Sequence, residues 1–210
     1  MIKTIVYAYW AKPFTEENLY SNFSRKSDFL TSLKLSVSQA RKWFDEIIFY
    51  GDHEAISQVC NVVSFDKVYD DLEILNDMEV PSHMWSVSKA FVCEKMDKPF
   101  LLFENDFYLW DEPSEELLNA DVVVESMRDV PDDYLREINY MKEDDMNVRP
   151  RWYRFAKVGK FQIPNKGVYG GNDLKFIKEH ANEVIRMTRS EKNLEIFSKF
   201  SESNRYRNAH

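Results

Sequence analysis

The chain has 210 residues and a formal charge of −8, because 36 acidic residues outnumber 28 basic ones. Hydrophobic residues make up 44% of the chain and aromatic residues 15%, which excludes a disordered protein. The acidic balance argues against nucleic acid as the main partner, since duplex binding needs clustered Lys and Arg. At this length we expect one domain over residues 1–210, with a frayed tail from about residue 201.

Segments for targeting and the common local motifs are not found in the sequence. No stretch approaches the ~20 apolar residues of a membrane-spanning helix, and the apolar opening is predicted to be a strand rather than a signal peptide. The sequence lacks a phosphate-binding loop, a dinucleotide fingerprint and closely spaced histidines. We therefore expect a cytoplasmic protein with no transmembrane segment, whose oligomeric state the sequence does not indicate.

Strands and helices alternate along the first half of the chain. β-Branched and aromatic runs predict strands, and apolar residues at helical spacing predict helices. The segment from about 129 to 147 is acidic and poorly periodic, so an irregular excursion is expected there. The predicted strands are 3–10, 46–50, 61–65, 100–103 and 121–125, and the predicted helices are 28–44, 53–59, 82–96, 173–187 and 190–200.

This order predicts the α/β class, with a mostly parallel, Rossmann-like sheet flanked by helices. A hairpin over residues 151–163 and two helices are expected to complete the C-terminal part. Right-handed crossovers bring the carboxyl ends of parallel strands to one edge, where such folds bind ligands.

An acidic pair follows the apolar run at residues 100–103. Glu104 and Asp106 are two residues apart, so on an extended chain their side chains share a face. Carboxylates between apolar runs are costly to desolvate, and a bound Mg²⁺ or Mn²⁺ would offset that cost. The alternative is a strand that ends in a solvated turn, with Glu104 paired to a lysine.

The glycines are few and clustered. The chain has 5 glycines, against about fifteen for an average protein of this length. Gly167, Gly170 and Gly171 lie together just before a predicted helix, a position that favours an anionic or hydroxyl-rich ligand. A plain strand-to-helix turn explains the cluster equally well.

Lys89 lies on a predicted helix with apolar residues on most sides. Its ammonium group could balance Glu104 and Asp106 or hold a diphosphate. Extension of its side chain into plain solvent is the alternative.

Aromatic residues end the first predicted strand, and Asp52 follows the second. Tyr7, Tyr9 and Trp10 could stack on a nucleobase, and Asp52 could accept a hydrogen bond from a base or ribose. Core packing of the aromatic residues and helix capping by Asp52 remain the alternatives.

Four segments together resemble GT-A-type nucleotide-sugar glycosyltransferases, and more narrowly a bacterial family of glycosyltransferase-like proteins. These segments are 50–52, 84–89, 99–110 and 165–171, and the resemblance extends from residue 5 to about 187. It implies transfer of a sugar from a nucleoside-diphosphate sugar to a glycan or another hydroxyl acceptor, with Mn²⁺ or Mg²⁺ as cofactor. Glu104 stands where the family usually has aspartate.

The resemblance also implies roles for individual residues. Asp106 would bind the metal ion, and Glu104 would contact ribose or a metal-bound water. Lys89 would stabilise the departing diphosphate, and Glu125 or Asp173 would accept the proton of the acceptor hydroxyl. The residues implied to bind the nucleotide sugar are Tyr7, Tyr9, Trp10, Asp52, Trp85, Lys89, Glu104, Asn105, Asn165, Gly167, Gly170 and Gly171.

Two other functions remain open from the sequence. One is a non-catalytic nucleotide- or carbohydrate-binding protein that keeps the fold. The other is a metal-dependent phosphoryl-transfer or hydrolytic enzyme that uses the same carboxylates.

Overall fold

The computed structural model describes residues 1–16, 19–129, 146 and 162–205. Its strands form one six-stranded sheet with the order β3-β2-β1-β4-β6-β5. The expected hairpin at 151–163 and most of the excursion at 129–147 lie outside the described residues. The strands are β1 (Thr4–Tyr9), β2 (Glu46–Gly51), β3 (Lys67–Tyr69), β4 (Phe100–Phe103), β5 (Val123–Asp129) and β6 (Gln162–Gly171).

The helices lie between these strands and after the last one. The predicted helix at 53–59 has the expected bounds, whereas the one at 82–96 is divided into a 3₁₀ turn, Ser82–Met84, and an α-helix. No described helix is both long and apolar enough to cross a membrane. The helices are α1 (Lys12–Thr15), α2 (Lys26–Ala40), α3 (His53–Val59), α4 (Glu73–Asp77), α5 (Val87–Lys95), α6 (Glu115–Asn119), α7 (Leu174–Thr188) and α8 (Glu191–Arg205).

The sheet is mixed. Strands β3, β2, β1 and β4 pair in parallel, whereas β6 runs antiparallel to both β4 and β5. The α/β class is therefore confirmed, and the parallel arrangement holds for the first four strands. The glycine cluster lies within the longest strand of the described sheet, residues 162–171, which ends shortly before α7.

The two faces of the sheet support separate apolar cores. In β1 the side chains alternate, so that Val6 joins the core under α5 and α7 while Tyr7 and Tyr9 join the core under α2. The central strands are buried on both faces, which accounts for their continuous apolar runs.

The third strand lies later in the chain than the sequence predicts. Pairing with β2 begins at Asp66, whose backbone N–H donates to the Ile47 carbonyl at 2.8 Å and whose carboxylate accepts from the Ile47 N–H at 2.7 Å. The apolar residues just before it form a turn: Val63 is buried, and Phe65 stacks on Phe49. Their hydrophobicity reflects packing of this turn into the core rather than strand pairing.

Candidate functional site

A crevice lies where the order of strands reverses, between β1 and β4. Strands β2 and β3 lie on one side of β1, and β4 lies on the other. Open α/β sheets bind ligands at such a reversal, outside the carboxyl ends of the strands. The crevice has a volume of about 30 Å³. It is lined by the end of β1, by Phe14 and Ser21, by Trp85 and Lys89, and by the residues that follow β4.

Lys89 and Glu104 form an ion pair in this crevice. The side chains are 14% and 26% exposed, respectively. The Lys89 ammonium also donates to the carbonyl of Lys166 at 2.9 Å and lies 5.5 Å from the centre of the Trp85 ring. The sequence left open whether Lys89 extends into solvent or balances the acidic pair, and the structure pairs it with Glu104. Loss of either partner would leave a largely buried charge uncompensated.

The chain turns sharply after Glu104. The Glu104 N–H donates to the Gly167 carbonyl at 2.9 Å, which extends the pairing of β4 with β6 by one residue. The Phe107 N–H then donates to the Glu104 carbonyl at 3.1 Å and closes a turn through Asn105 and Asp106. The predicted extended geometry of Glu104 and Asp106 is therefore wrong. Within the described part of the chain, no hydrogen bond or ion pair engages the half-buried Asp106 carboxylate.

Two buried polar atoms in the crevice lack partners among the described residues: Oδ1 of Asn105 and the hydroxyl of Tyr9. Asn105 is 7% exposed, and its amide nitrogen makes one long hydrogen bond, 3.5 Å, to the Ala8 carbonyl. The backbone of Ser21, which has a φ of 53°, lies near the Tyr9 hydroxyl without forming a well-aligned hydrogen bond. Burial raises the pKa of Tyr9, so its hydroxyl stays protonated. Unpartnered buried polar groups are costly, and a polar ligand at this point would satisfy them.

Asp52 has a structural role. Its carboxylate caps α3 by accepting the Ala55 N–H at 2.9 Å. It also accepts the N–H groups of Ala11 at 3.2 Å and Lys12 at 3.4 Å, and the side-chain amide of Asn76 at 3.4 Å. With 1% exposure, Asp52 ties the end of β1 to α3, which is the capping alternative that the sequence left open.

Tyr7, on β1, and Trp10, directly after it, are fixed by hydrogen bonds. Tyr7 is fully buried, and its hydroxyl lies 2.7 Å from the Ser36 hydroxyl, so the predicted contact with a nucleobase is wrong. Trp10 lines the crevice, although its indole N–H donates to Oδ1 of Asn76 at 2.7 Å and it is 1% exposed. Trp85, which is 38% exposed, is therefore the aromatic residue of the crevice with the most accessible ring.

The glycine cluster is divided between the two ends of the sheet. Gly167 and Asn165 lie near the Glu104 edge, where Glu125 also lies at an irregularity in the pairing of β5 with β6. A Cβ atom added at Gly167 would meet Oε2 of Glu125 at 2.2 Å. The glycine therefore leaves room for this carboxylate, and the irregularity is of the kind that re-aims side chains beside active sites.

Gly170, Gly171 and Asp173 lie at the opposite edge. Because β6 is antiparallel, Gly171 pairs with Phe100, the first residue of β4 rather than its last. Asp173 caps α7 by accepting the Phe176 N–H at 3.0 Å. About four residues of strand, roughly 13 Å, separate this edge from Glu104. The structure therefore does not bring these three residues to the crevice.

Sequence reasoning missed a cluster beside the crevice that contains Lys166, Tyr169 and His180. The Lys166 ammonium nitrogen lies 3.1 Å from Nε2 of His180 and 4.8 Å from the centre of the Tyr169 ring. Burial lowers the pKa of Lys166 to about 8 and that of His180 to about 4. Lys166 lies inside the glycine-rich segment and could have been singled out there. Nothing in the local sequence of His180 indicates its position.

Glu104, which lines the crevice, and Asp106, two residues later, are the carboxylates that the sequence suggests for a metal ion. Among the residues that the structure describes, no group of three or more His, Cys, Asp or Glu side chains is arranged to hold a metal. Magnesium and similar ions in nucleotide sites use one or two carboxylates and take their other ligands from phosphate and water. Asp106 is uncommitted and can serve in this way, whereas Glu104 is engaged by Lys89.

The comparisons with known proteins give a family but no activity. No curated protein matches the chain. The family described as "Family of unknown function (DUF6734)" matches residues 3–207, which is nearly the whole sequence. The chain therefore belongs to this family.

Proposed function

We propose that the protein is a metal-dependent glycosyltransferase of the GT-A type, which binds a nucleoside-diphosphate sugar in the crevice between β1 and β4. The reaction would move the sugar to a hydroxyl group of an acceptor. The proposal rests on the sequence resemblance and on the chemistry of the groups in that crevice.

One observation carries the proposal. The crevice at the reversal of strand order combines an accessible aromatic ring, Trp85, a buried amide oxygen without a partner, on Asn105, and a cation, Lys89. An uncommitted carboxylate, Asp106, follows directly. A base or sugar ring, hydroxyl or N–H donors and a diphosphate are the chemical groups that these side chains recognise. A nucleoside-diphosphate sugar contains all of them.

The positive charge of Lys89 in the crevice could stabilise a diphosphate leaving group. Sugar transfer builds negative charge on the leaving group, and Lys89 can exchange its contact with Glu104 for a phosphate oxygen because both groups lie within the same crevice. Asp106 would hold the metal ion, which when bound supplies Lewis-acid stabilisation of the same leaving group. Glu104 then becomes available to a ribose hydroxyl or a metal-bound water.

Glu125 is the better of the two proton acceptors proposed from the sequence. Its carboxylate lies over Gly167, whose carbonyl bonds to the backbone of Glu104, and the residue is exposed to solvent. An acceptor hydroxyl could therefore reach it from outside. Asp173 caps α7 at the other edge of the sheet, away from Glu104.

A non-catalytic binding protein is the second candidate, and the ion pair of Lys89 with Glu104 favours it. In a protein that only binds, this pair could remain closed. The crevice volume of about 30 Å³ is also well below the ~300–1,000 Å³ of typical ligand sites. Binding of a whole nucleotide sugar therefore requires Trp85 and Lys89 to move apart from the residues after β4.

A thermal-shift panel tests the proposal. The probes are nucleoside-diphosphate sugars of the common bases, each with and without Mn²⁺, since a ligand that binds only the native state raises the melting temperature. We expect stabilisation that needs both components and is lost in Asp106→Ala. Release of nucleoside diphosphate in the presence of candidate acceptors separates the transferase from the binding protein. An unchanged response in Asp106→Ala would contradict the metal-dependent transferase.

A further inference from the structure

Lys166 lies in an unusual environment beside the crevice. Its amine nitrogen lies over the ring of Tyr169, on the same strand, and within hydrogen-bond distance of Nε2 of His180, on α7. On α5 the nearby titratable groups are Lys89 and Cys93. In the described part of the chain, no carboxylate forms an ion pair with Lys166.

A neutral imidazole of His180 fits the hydrogen bonds around Lys166. Burial and the nearby Lys166 together lower the pKa of His180 to about 4, although Glu183, also on α7, acts in the opposite direction. Nε2 of His180 then accepts an N–H from Lys166 at 3.1 Å, and Nδ1–H points toward the Tyr169 hydroxyl at 3.4 Å. A neutral amine held by one N–H keeps its lone pair free to attack.

The neighbouring groups provide no formal negative charge for Lys166. Burial raises the pKa of the Cys93 thiol to about 12 and also raises that of Tyr169, so both are neutral. Burial lowers the pKa of Lys166, Cys93 acts in the opposite direction and the positive charge of Lys89 lowers it again, with a result of about 8; the Tyr169 ring face, which attracts a cation, does not reverse this. Desolvated lysines beside another cation are the kind that act as nucleophiles in proteins.

We propose that Lys166 is a nucleophilic amine that captures the carbonyl carbon of an aldehyde as a Schiff base. The ammonium first releases a proton to solvent. Its lone pair then forms a bond to the carbonyl carbon, and one N–H proton passes to the carbonyl oxygen to give a carbinolamine. The C–OH bond breaks, and the hydroxyl leaves as water with the second N–H proton, which gives the imine. This activity does not depend on the proposed sugar transfer, because it uses neither Asp106 nor a nucleotide.

Reductive trapping tests the proposal on the intact protein. The probe is glyoxylate, a small aldehyde whose carboxylate suits the cationic surroundings of Lys166, and cyanoborohydride supplies the hydride that reduces the imine to a stable amine. Peptide mass spectrometry measures the rate at each lysine, with the exposed Lys175 of α7 as internal reference. We expect Lys166 to react about tenfold faster than Lys175 near pH 7.5, with a midpoint near pH 8. Equal rates at the two residues would overturn the proposal.

Two variants of His180 separate a chemical role from a structural one. His180→Gln keeps an acceptor for the Lys166 N–H, whereas His180→Phe does not. We expect the rate at Lys166 to stay near that of the parent in the first variant and to fall about fivefold in the second, with no change at Lys175. The same fall in both variants, or none in either, would overturn the role assigned to His180.

Discussion

The two edges of the sheet contain similar residues but differ in whether the polar side chains have hydrogen-bond partners. At the carboxyl edge of β1 and β4, Asn105 has an amide oxygen without a partner among the described residues, and Asp106 has an uncommitted carboxylate. At the opposite edge, Asp173 caps a helix, and the side-chain amide of Asn172 donates to two backbone carbonyls.

A cluster of glycine, Asn and Asp before a helix can therefore reflect close packing of the backbone as readily as a ligand site. At the opposite edge the glycines permit backbone contacts: a Cβ atom at Gly170 would meet the Phe100 carbonyl oxygen at 2.1 Å. At the carboxyl edge, Gly167 makes room for a side chain, that of Glu125. Unsatisfied polar atoms, rather than composition, distinguish the two edges.

The largest expected effect is on stability at the opposite edge. Gly170→Ala places a methyl group against rigid backbone and should lower the free energy of unfolding by about 3 kcal/mol. Gly167→Ala is the matched control: its obstacle is the flexible end of Glu125, so the loss should be about 1 kcal/mol. Urea denaturation measures both. Equal losses would contradict the distinction between the two edges.

Asp52 should also contribute to stability rather than to binding. Asp52→Ala leaves several buried N–H groups without an acceptor, and we expect a loss of about 2 kcal/mol in urea denaturation. Affinity for any nucleotide that the parent binds should change less than twofold. A large loss of affinity in a variant that remains folded would assign Asp52 to the ligand.

The free energy of unfolding should depend on pH through His180, which belongs to the cluster beside the crevice. Its pKa is lowered to about 4 from the ordinary 6.5, so between these values the unfolded chain binds more protons and stability falls as the pH decreases. We expect His180→Gln to reduce the loss of stability between pH 7 and pH 5 by about 1 kcal/mol, because partial exposure weakens the effect. Urea denaturation at both pH values measures it. Parallel pH profiles of parent and variant would contradict this assignment.

The smallest expected effect on stability is at Asp106. Its carboxylate engages no described partner, so Asp106→Asn should change the free energy of unfolding by less than about 0.5 kcal/mol. A larger loss of unfolding free energy in urea denaturation would show that Asp106 stabilises the turn, which would contradict an uncommitted carboxylate.

Much of the fold could be predicted from the sequence. The central strands are buried on both faces, and their continuous apolar runs give clear signals at residues 46–50 and 100–103. The direction of β6 could not be predicted, because pairing with β4 is a long-range choice that leaves no local pattern. For the same reason the position of Gly171 could not be predicted, because the antiparallel direction of β6 places it beside Phe100.

The candidate site was predicted in part. Trp85, Lys89, Glu104 and Asn105 all line the crevice, since residues that follow parallel strands and the adjoining helix converge there. The sequence left two geometries open after β4, an extended acidic pair and a turn with Glu104 paired to a lysine. The structure shows the second, because the backbone bond between Phe107 and Glu104 closes a turn and Lys89 pairs with Glu104.

Calorimetric titration directly tests whether the carboxyl edge holds a shared site for a metal ion and a diphosphate. Mn²⁺ complexes of ADP, GDP, CDP, UDP and dTDP are titrated into the parent protein and into Asp106→Asn. We predict that at least one complex binds the parent and that Asp106→Asn, at unchanged stability, binds it at least about tenfold more weakly, since a charged metal ligand is lost. Absence of binding by every complex, or equal affinity in the two proteins, would contradict a shared metal and diphosphate site at the carboxyl edge.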